Sequence, residues 1–325
     1  MFKKYNWGIL GCGIISNEFA QAMRSNGRKI YSVANRTFNN AIKFARDFQI
    51  EKVYENVNDI FEDKNVDIIY VATPHNTHIE YLKKAISSKK HVLCEKAITL
   101  NANELNEALD LAKKNNVILA EAMTIFHMPI YRKMNQIISS GKLGKLKIMQ
   151  INFGSYKEFD ERNRFFNPNL AGGAMLDIGV YALSFARWFM SSKPNQILSQ
   201  VKFSSTGDDD QSGILLKNSE DEMATITLSF RAKQPKRATV SFENAYVEFF
   251  EYPRGSEAII TYTLDGKKEI IKDGDTNDAL FYEIKNMEES VYKNENLMYI
   301  NYTRDVMEMM TEIRNQWGMK YPGEK

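Results

Sequence analysis

Cysteine is scarce in this chain. Two occur in 325 residues, Cys12 and Cys94, both inside apolar runs. That excludes a disulfide framework and a cysteine-rich metal centre, and fits a reducing compartment. Histidine is nearly as rare, with four. His75 and His78 stand close together, but no acid or cysteine beside them has ligand spacing, so no metal site is expected. Excess charge is missing too: 43 Lys and Arg against 41 Asp and Glu leave a formal +2. With no basic stripe interleaved with aromatics, a nucleic-acid partner is not expected. No continuous apolar run approaches the length that spans a bilayer, so no membrane partner is expected. No secretory-type apolar stretch precedes the first strand, and a cytoplasmic location is expected. Internal repeats and low-complexity linkers are also lacking.

What is present is ordinary globular composition, 43% hydrophobic and 26% charged, at a length that suggests two domains. Short apolar runs at Trp7–Leu10, Ile30–Asn35, Val66–Thr73, His91–Cys94 and Val117–Ala120 alternate with segments of helical spacing. Continuous apolar strands alternating with helices predict a parallel sheet covered on both faces, over residues 1–122. Beyond that point the pattern changes. A helix near Ile130–Ser140, a strand Leu146–Phe153 and a helix at about Ala174–Met190 precede seven strand-like runs between residues 197 and 271. Two helices close the chain, Ala279–Tyr292 and Asn301–Gln316. Strands in succession predict an α+β domain, residues 123–325, with a large, mostly antiparallel open sheet. The fold class is therefore α/β, a doubly wound N-terminal domain followed by an α+β domain.

The first strand runs into Gly8-Ile9-Leu10-Gly11-Cys12-Gly13-Ile14-Ile15-Ser16. Glycines are needed where a strand turns sharply into a helix and where backbone must approach a pyrophosphate. The helix start at Ile14 and Ile15 then offers amides and a positive dipole end. Alone the motif is weak, but a strand before it, a helix after it and further βα units strengthen it. The second strand ends Asn35-Arg36-Thr37, without the acid that would bond a ribose 2′-hydroxyl. Arg36 can pair with a 2′-phosphate and Thr37 can donate to it, so NADP(H) is the expected cofactor, with NAD(H) possible.

Lys96 stands just beyond the apolar run His91–Cys94. Asp177 and Tyr181 stand four apart on an expected helix, and so on one face. An ammonium near a phenol favours the phenolate, so a tyrosine that ordinarily ionises near 10 can exchange a proton with a substrate oxygen near neutral pH. Asp177 can orient a substrate hydroxyl or hold Lys96. A lone lysine is more often a surface residue, and a lone tyrosine more often core; the joint pattern points to hydride transfer at an alcohol carbon. Arg162 and Arg164, in a segment rich in Arg, Asn and aromatics, read better as loop anchors than as substrate ligands.

The glycine turn, Ala72-Thr73-Pro74-His75-Asn76-Thr77-His78, Glu95-Lys96, Ala122-Met123, Gly172-Gly173 and Asp177-Ile178-Gly179-Val180-Tyr181 together resemble the glucose–fructose oxidoreductase/inositol dehydrogenase (Gfo/Idh/MocA) family over nearly the whole chain. Tyr181, where many members carry histidine, resembles the branch of trans-dihydrodiol dehydrogenase and xylose dehydrogenase. The resemblance implies a Rossmann domain, Lys96 and Tyr181 as catalytic pair with Asp177 nearby, and a sugar, polyol or dihydrodiol-like substrate. It also places Thr73, Pro74 and His78 near the nicotinamide, with Glu95 on a cofactor ribose or fixing its loop. Oligomers, a homodimer or homotetramer, are implied through the C-terminal sheet. The family usually reads Glu-Lys-Pro, whereas this chain has Ala97. Cis bonds to non-proline residues cost about 2.5–4 kcal/mol, so a trans Lys96–Ala97 bond is expected. That substitution also supports an alternative, a cofactor-binding sensor or scaffold without catalysis. A methyltransferase, which also uses a glycine-rich βα turn, fits less well, because the acid after the second strand is missing.

Overall fold

A computed structural model describes residues 4–324. The chain falls into two compact units, the residues up to Met123 with Asp278–Ile300, and Thr124–Asn277 with the residues from Asn301 onward.

The first unit alternates β1 (Trp7–Leu10), α1 (Ile14–Ser25), β2 (Ile30–Ala34), α2 (Phe38–Phe48), β3 (Lys52–Tyr54), α3 (Asp59–Glu62), β4 (Ile68–Val71), α4 (His78–Ser87), β5 (His91–Glu95), α5 (Ala102–Asn115) and β6 (Leu119–Ala122). Its six strands lie in the order β3-β2-β1-β4-β5-β6 and its pairings are parallel. The order reverses between β1 and β4, the place where doubly wound sheets bind ligands at their carboxyl ends. β1, β4 and β6 are buried along their whole length, which is why β1 and β4 read as apolar runs, while β6 carries the buried Glu121.

The second unit holds α6 (Pro129–Ser139), β7 (Leu146–Gly154), α7 (Val180–Phe189), β8 (Gln196–Phe203), β9 (Asp209–Lys217), β10 (Met223–Ser229), β11 (Gln234–Phe242), β12 (Ala245–Phe250), β13 (Glu257–Tyr262) and β14 (Lys268–Lys272). These eight strands form one sheet, β14-β13-β12-β11-β7-β10-β9-β8, antiparallel except where β7 and β10 run together. One face alternates into the core. The other leaves Ile148, Leu198, Tyr246, Phe250 and Ile270 exposed. Two helices follow, α8 (Ala279–Lys293) and α9 (Ile300–Gln316).

Pattern alone leaves α8 with the strands that precede it. Its buried face instead joins the first unit: Leu280, Ile284 and Met287 share a core with Trp7, Phe19 and Tyr70. The Trp7 indole also donates to Glu288 at 3.3 Å, and Arg28 pairs with the same carboxylate at 3.0 Å.

The stretch Pro168–Phe189 does reach the length and mean hydropathy, 1.2, at which a membrane span is considered. Short turns and scattered polar residues hide this from a search for unbroken runs. Its most apolar window is 78% buried inside the protein, as a core helix would be.

Candidate active site

The turn after β1 is built by its glycines, each for a different reason. Gly11 has φ +103°, and a Cβ there would stand 2.5 Å from Ala72 O. Only glycine lets the turn lie against the end of β4. At Gly13 a Cβ would meet nothing within 4 Å, so the fold itself does not demand glycine there. It opens α1, whose first turn carries neither a side-chain cap nor an acid, and next to it Ile14 is 84% exposed. Open space at an uncapped helix start fits a dinucleotide pyrophosphate.

Asn35 clips this turn to the end of β2. Its side-chain oxygen accepts from the Cys12 amide at 3.3 Å, and its amide donates to Thr37 O at 2.9 Å. Arg36 and Thr37 beyond it are exposed.

At the ends of β4 and β5 two histidines hold the turn that carries Lys96. His75 Nε2 lies 3.0 Å from Lys96 O. His78, fully buried, lies 3.0 Å from Ala97 O through Nδ1 and 2.8 Å from Thr73 O through Nε2. The Thr73 hydroxyl lies 2.8 Å from that of Thr77, which donates to Pro74 O at 2.7 Å. The Ile98 amide donates to Glu121 at 3.1 Å. Glu95 is buried and accepts the Tyr70 hydroxyl, and burial, with the Glu95 charge, drives the Tyr70 phenol well above its ordinary range.

The Lys96–Ala97 peptide is cis, not trans as the missing proline suggested. Both carbonyls of the dipeptide lie 3.0 Å from imidazole nitrogens, and Ala97 is wholly buried. Between Val92 and Asn101, Lys96 is the one residue not buried.

In the second unit Asp177 lies on a single wide π-type turn, Met175–Gly179, that runs directly into α7. Sequence periodicity predicts a plain α-helix here and does not show the wider turn. Gly179 allows the close packing, since a Cβ there would stand 2.9 Å from both Leu228 Cδ1 and Met175 Sδ. From Ala171 to Ala186 every residue is buried except Asp177 and Tyr181. Asp177 pairs with Arg164 at 3.4 Å, and the Tyr181 ring lies 6.0 Å from that of Phe153. Arg162, by contrast, pairs with Asp160 at 3.0 Å in an exposed turn.

Two contacts lie beyond what the sequence shows. Arg164 reads from sequence as a loop anchor, and in the structure its partner is the candidate acid itself. Asp209 accepts the Met175 amide at 2.7 Å at the head of the π-type turn. Its only signal was the acidic triplet Asp208–Asp210 opening a strand. Among the described residues no group of three or more His, Cys, Asp and Glu could hold a metal ion.

Residues 5–123 match a family described as an oxidoreductase family with an NAD-binding Rossmann fold, and residues 131–248 match the GFO/IDH/MocA C-terminal domain. The chain is a GFO/IDH/MocA oxidoreductase. Among the relatives of this oxidoreductase is trans-1,2-dihydrobenzene-1,2-diol dehydrogenase of Mus musculus, 31% identical over 239 residues, 72% of this chain and 71% of that one. The Xenopus laevis protein of the same name is 25% identical over 97% of this chain and 99% of its own. Two solved structures share the fold of the oxidoreductase. KijD10, a 3-ketoreductase from Actinomadura kijaniata in complex with NADP and TDP-benzene, has a TM-score of 0.87 at 17% identity, covering 96% of this chain and 98% of that one. Levoglucosan dehydrogenase, in complex with NADH and levoglucosan, has a TM-score of 0.88 at 15% identity, covering 97% and 98%.

Proposed function

We propose that this oxidoreductase uses NADP(H) to interconvert the carbinol and carbonyl carbon of a sugar, polyol or dihydrodiol-like substrate, with Tyr181 and Lys96 as the proton-transfer pair. One observation carries the reading. In two otherwise buried runs, 92–101 and 171–186, the only residues left accessible are Lys96, Asp177 and Tyr181, the three that the chemistry requires. The relatives named as dehydrogenases, and the solved neighbours bound to NADP or NADH, support it.

The backbone at Gly11, Gly13, Ile14 and Ile15 holds the pyrophosphate. Arg36 and Thr37, beside Asn35, take the 2′-phosphate, and Thr73, Pro74, His78 and Glu95 shape the nicotinamide end. When bound, the nicotinamide supplies the two-electron acceptor or donor for the substrate carbon. Tyr181 takes the hydroxyl proton on oxidation and returns it on reduction, and the Lys96 ammonium favours its phenolate. Asp177, steadied by Arg164, accepts a hydrogen bond from a substrate hydroxyl. The exposed apolar residues of the sheet, Leu198, Tyr246 and Phe250 among them, support self-association, which sedimentation at graded concentrations tests.

The test is an NADPH and NADH titration followed by turnover on sugars, polyols, trans-dihydrodiols and the matching ketones. Lys96→Met and Tyr181→Phe should each cut kcat by about 10²–10⁴ while cofactor affinity is retained. Intact turnover in both variants defeats the mechanism. Cofactor binding without turnover on any substrate favours the sensor instead.

A further inference from the structure

We propose that Asp209 is a positioning residue for Tyr181: from the start of β9 its carboxyl group accepts the Met175 amide at 2.7 Å and so fixes the first turn of the segment that carries Asp177 and Tyr181. The inference rests on the reading of Tyr181 as the proton-transfer group.

Amides at a helix start have no partner within the helix. This segment offers no side chain of its own as a cap. Asp209, 34 residues away in sequence, does that work from another element. Tyr181 follows six residues after Met175 on the same rigid run, so a loosened first turn moves the phenol.

The glycine pair before the helix makes room for the acids. Gly173 has φ +104°, and a Cβ there would overlap Asp209 Oδ1; one on Gly172 would stand 2.6 Å from Asp208 Oδ2. The Tyr321 hydroxyl holds the other side of the pair, donating to Gly172 O at 2.6 Å. Gly172-Gly173 thus reads as the imprint of two carboxyl groups packed against the helix start.

The charged and titratable groups around Asp209 are Asp208 beside it, Arg314 from α9, and Tyr321 and Glu324 from the C-terminal segment. Arg314 is committed to Glu324 through two bonds of 2.7 Å. Burial pushes Asp209 up to about 8, with Asp208 adding to the rise and the Met175 bond and Arg314 opposing it. At neutral pH the group is therefore mostly the neutral acid, and asparagine is its close mimic: a carbonyl oxygen to accept, with no charge to bury.

The experiment uses the whole chain. Asp209→Ala removes the acceptor and Asp209→Asn keeps one. Hydrogen-exchange mass spectrometry should show residues 175–181 exchanging about tenfold faster or more in Asp209→Ala, with Asp209→Asn close to wild type. With a turned-over substrate, kcat should fall about tenfold or more in Asp209→Ala while the KM for NADP(H) stays within about threefold, and Asp209→Asn should restore it. Unchanged exchange at 175–181 in Asp209→Ala overturns the clamp. So does a loss of kcat in Asp209→Asn equal to that in Asp209→Ala. Asp209→Val, which fills more of the space, replaces the alanine variant if that one fails to fold. Tyr181→Phe is measured alongside. If its turnover is intact the functional reading fails, and the exchange data still decide the clamp.

Discussion

The His78 ring stands between two backbone carbonyls, with Nδ1 3.0 Å from Ala97 O and Nε2 2.8 Å from Thr73 O. Carbonyls only accept, and a neutral imidazole has one N–H to give, so only the imidazolium satisfies both at once. Burial lowers the pKa of His78, and the Lys96 charge acts the same way, while the carbonyls of Thr73, Ala97 and Ile98 oppose. The ring is therefore neutral near pH 7.5 and completes its second bond on acidification. With four histidines in the chain, ¹⁵N spectra of histidine-labelled protein can resolve it. One ring nitrogen of His78 should be protonated near neutrality, with the second proton arriving below the ordinary midpoint of about 6.5. The unfolded chain then takes this proton at higher pH than the native one, so stability from His78 is lost as pH falls below about 6.5. A midpoint above the ordinary value would show that the carbonyls outweigh burial.

Gly11 and Gly13 separate fold from cofactor. At Gly11 an added methyl meets Ala72 O and a positive φ, so Gly11→Ala should lose about 1–3 kcal/mol or more, read as a lower midpoint in urea. Gly13→Ala meets no protein atom within 4 Å and should unfold like wild type. Its methyl instead fills the space at the start of α1, and NADPH affinity should drop about tenfold or more. Equal cofactor affinity in Gly13→Ala and wild type would move the pyrophosphate site elsewhere.

The proposed NADP(H) preference rests on Arg36. A hydrogen bond to a charged partner contributes about 1.5–3 kcal/mol, which is roughly tenfold to hundredfold in affinity. Arg36→Glu should lower NADPH affinity by that factor and leave NADH affinity equal or improved. The ratio of the two dissociation constants checks it, and an unchanged ratio removes Arg36 from the site.

How much of this was legible follows from where the contacts are made. β1 and β4 announce themselves because strands buried on both faces are written as apolar runs that turn chemistry ends; β5 and β6 show only their apolar parts, since Glu95 and Glu121 interrupt the pattern. β3, three residues long, does not announce itself; it exists because Val53 pairs with Val33 of β2, a contact that no local pattern encodes. Lys96, Asp177 and Tyr181 stand out in the sequence as candidates because their chemistry is unusual in combination. The bonds that place them do not. Arg164 reaches Asp177 across 13 residues and Asp209 reaches Met175 across 34, and only the folded chain brings those partners together. The same holds for the Lys96–Ala97 turn, whose carbonyls meet two histidines about twenty residues upstream.

Asp208 stores a pH dependence of stability. It is completely buried, and neither carboxyl oxygen has a hydrogen-bond partner among the described residues. Burial pushes its pKa up to about 7, whereas an unfolded aspartate ionises near 3.9. From about pH 4 to 7 the native state therefore holds a proton that the unfolded chain has released. Native binding exceeds unfolded binding, so stability falls as pH rises through that window. Asparagine has nearly the same shape and nothing to ionise. Asp208→Asn should gain little at pH 4.5 and several degrees in Tm, roughly 2–8 °C, at pH 7.5. Asp209, raised to about 8 in part by the Asp208 charge, adds a slope of the same sign, so the difference between the two proteins reports the loss of Asp208 ionisation together with the relief it gives Asp209. Thermal melts of the two proteins across this range decide the matter. A difference in Tm that does not grow with pH would mean that Asp208 is already ionised in the native state and held by a partner that replaces water.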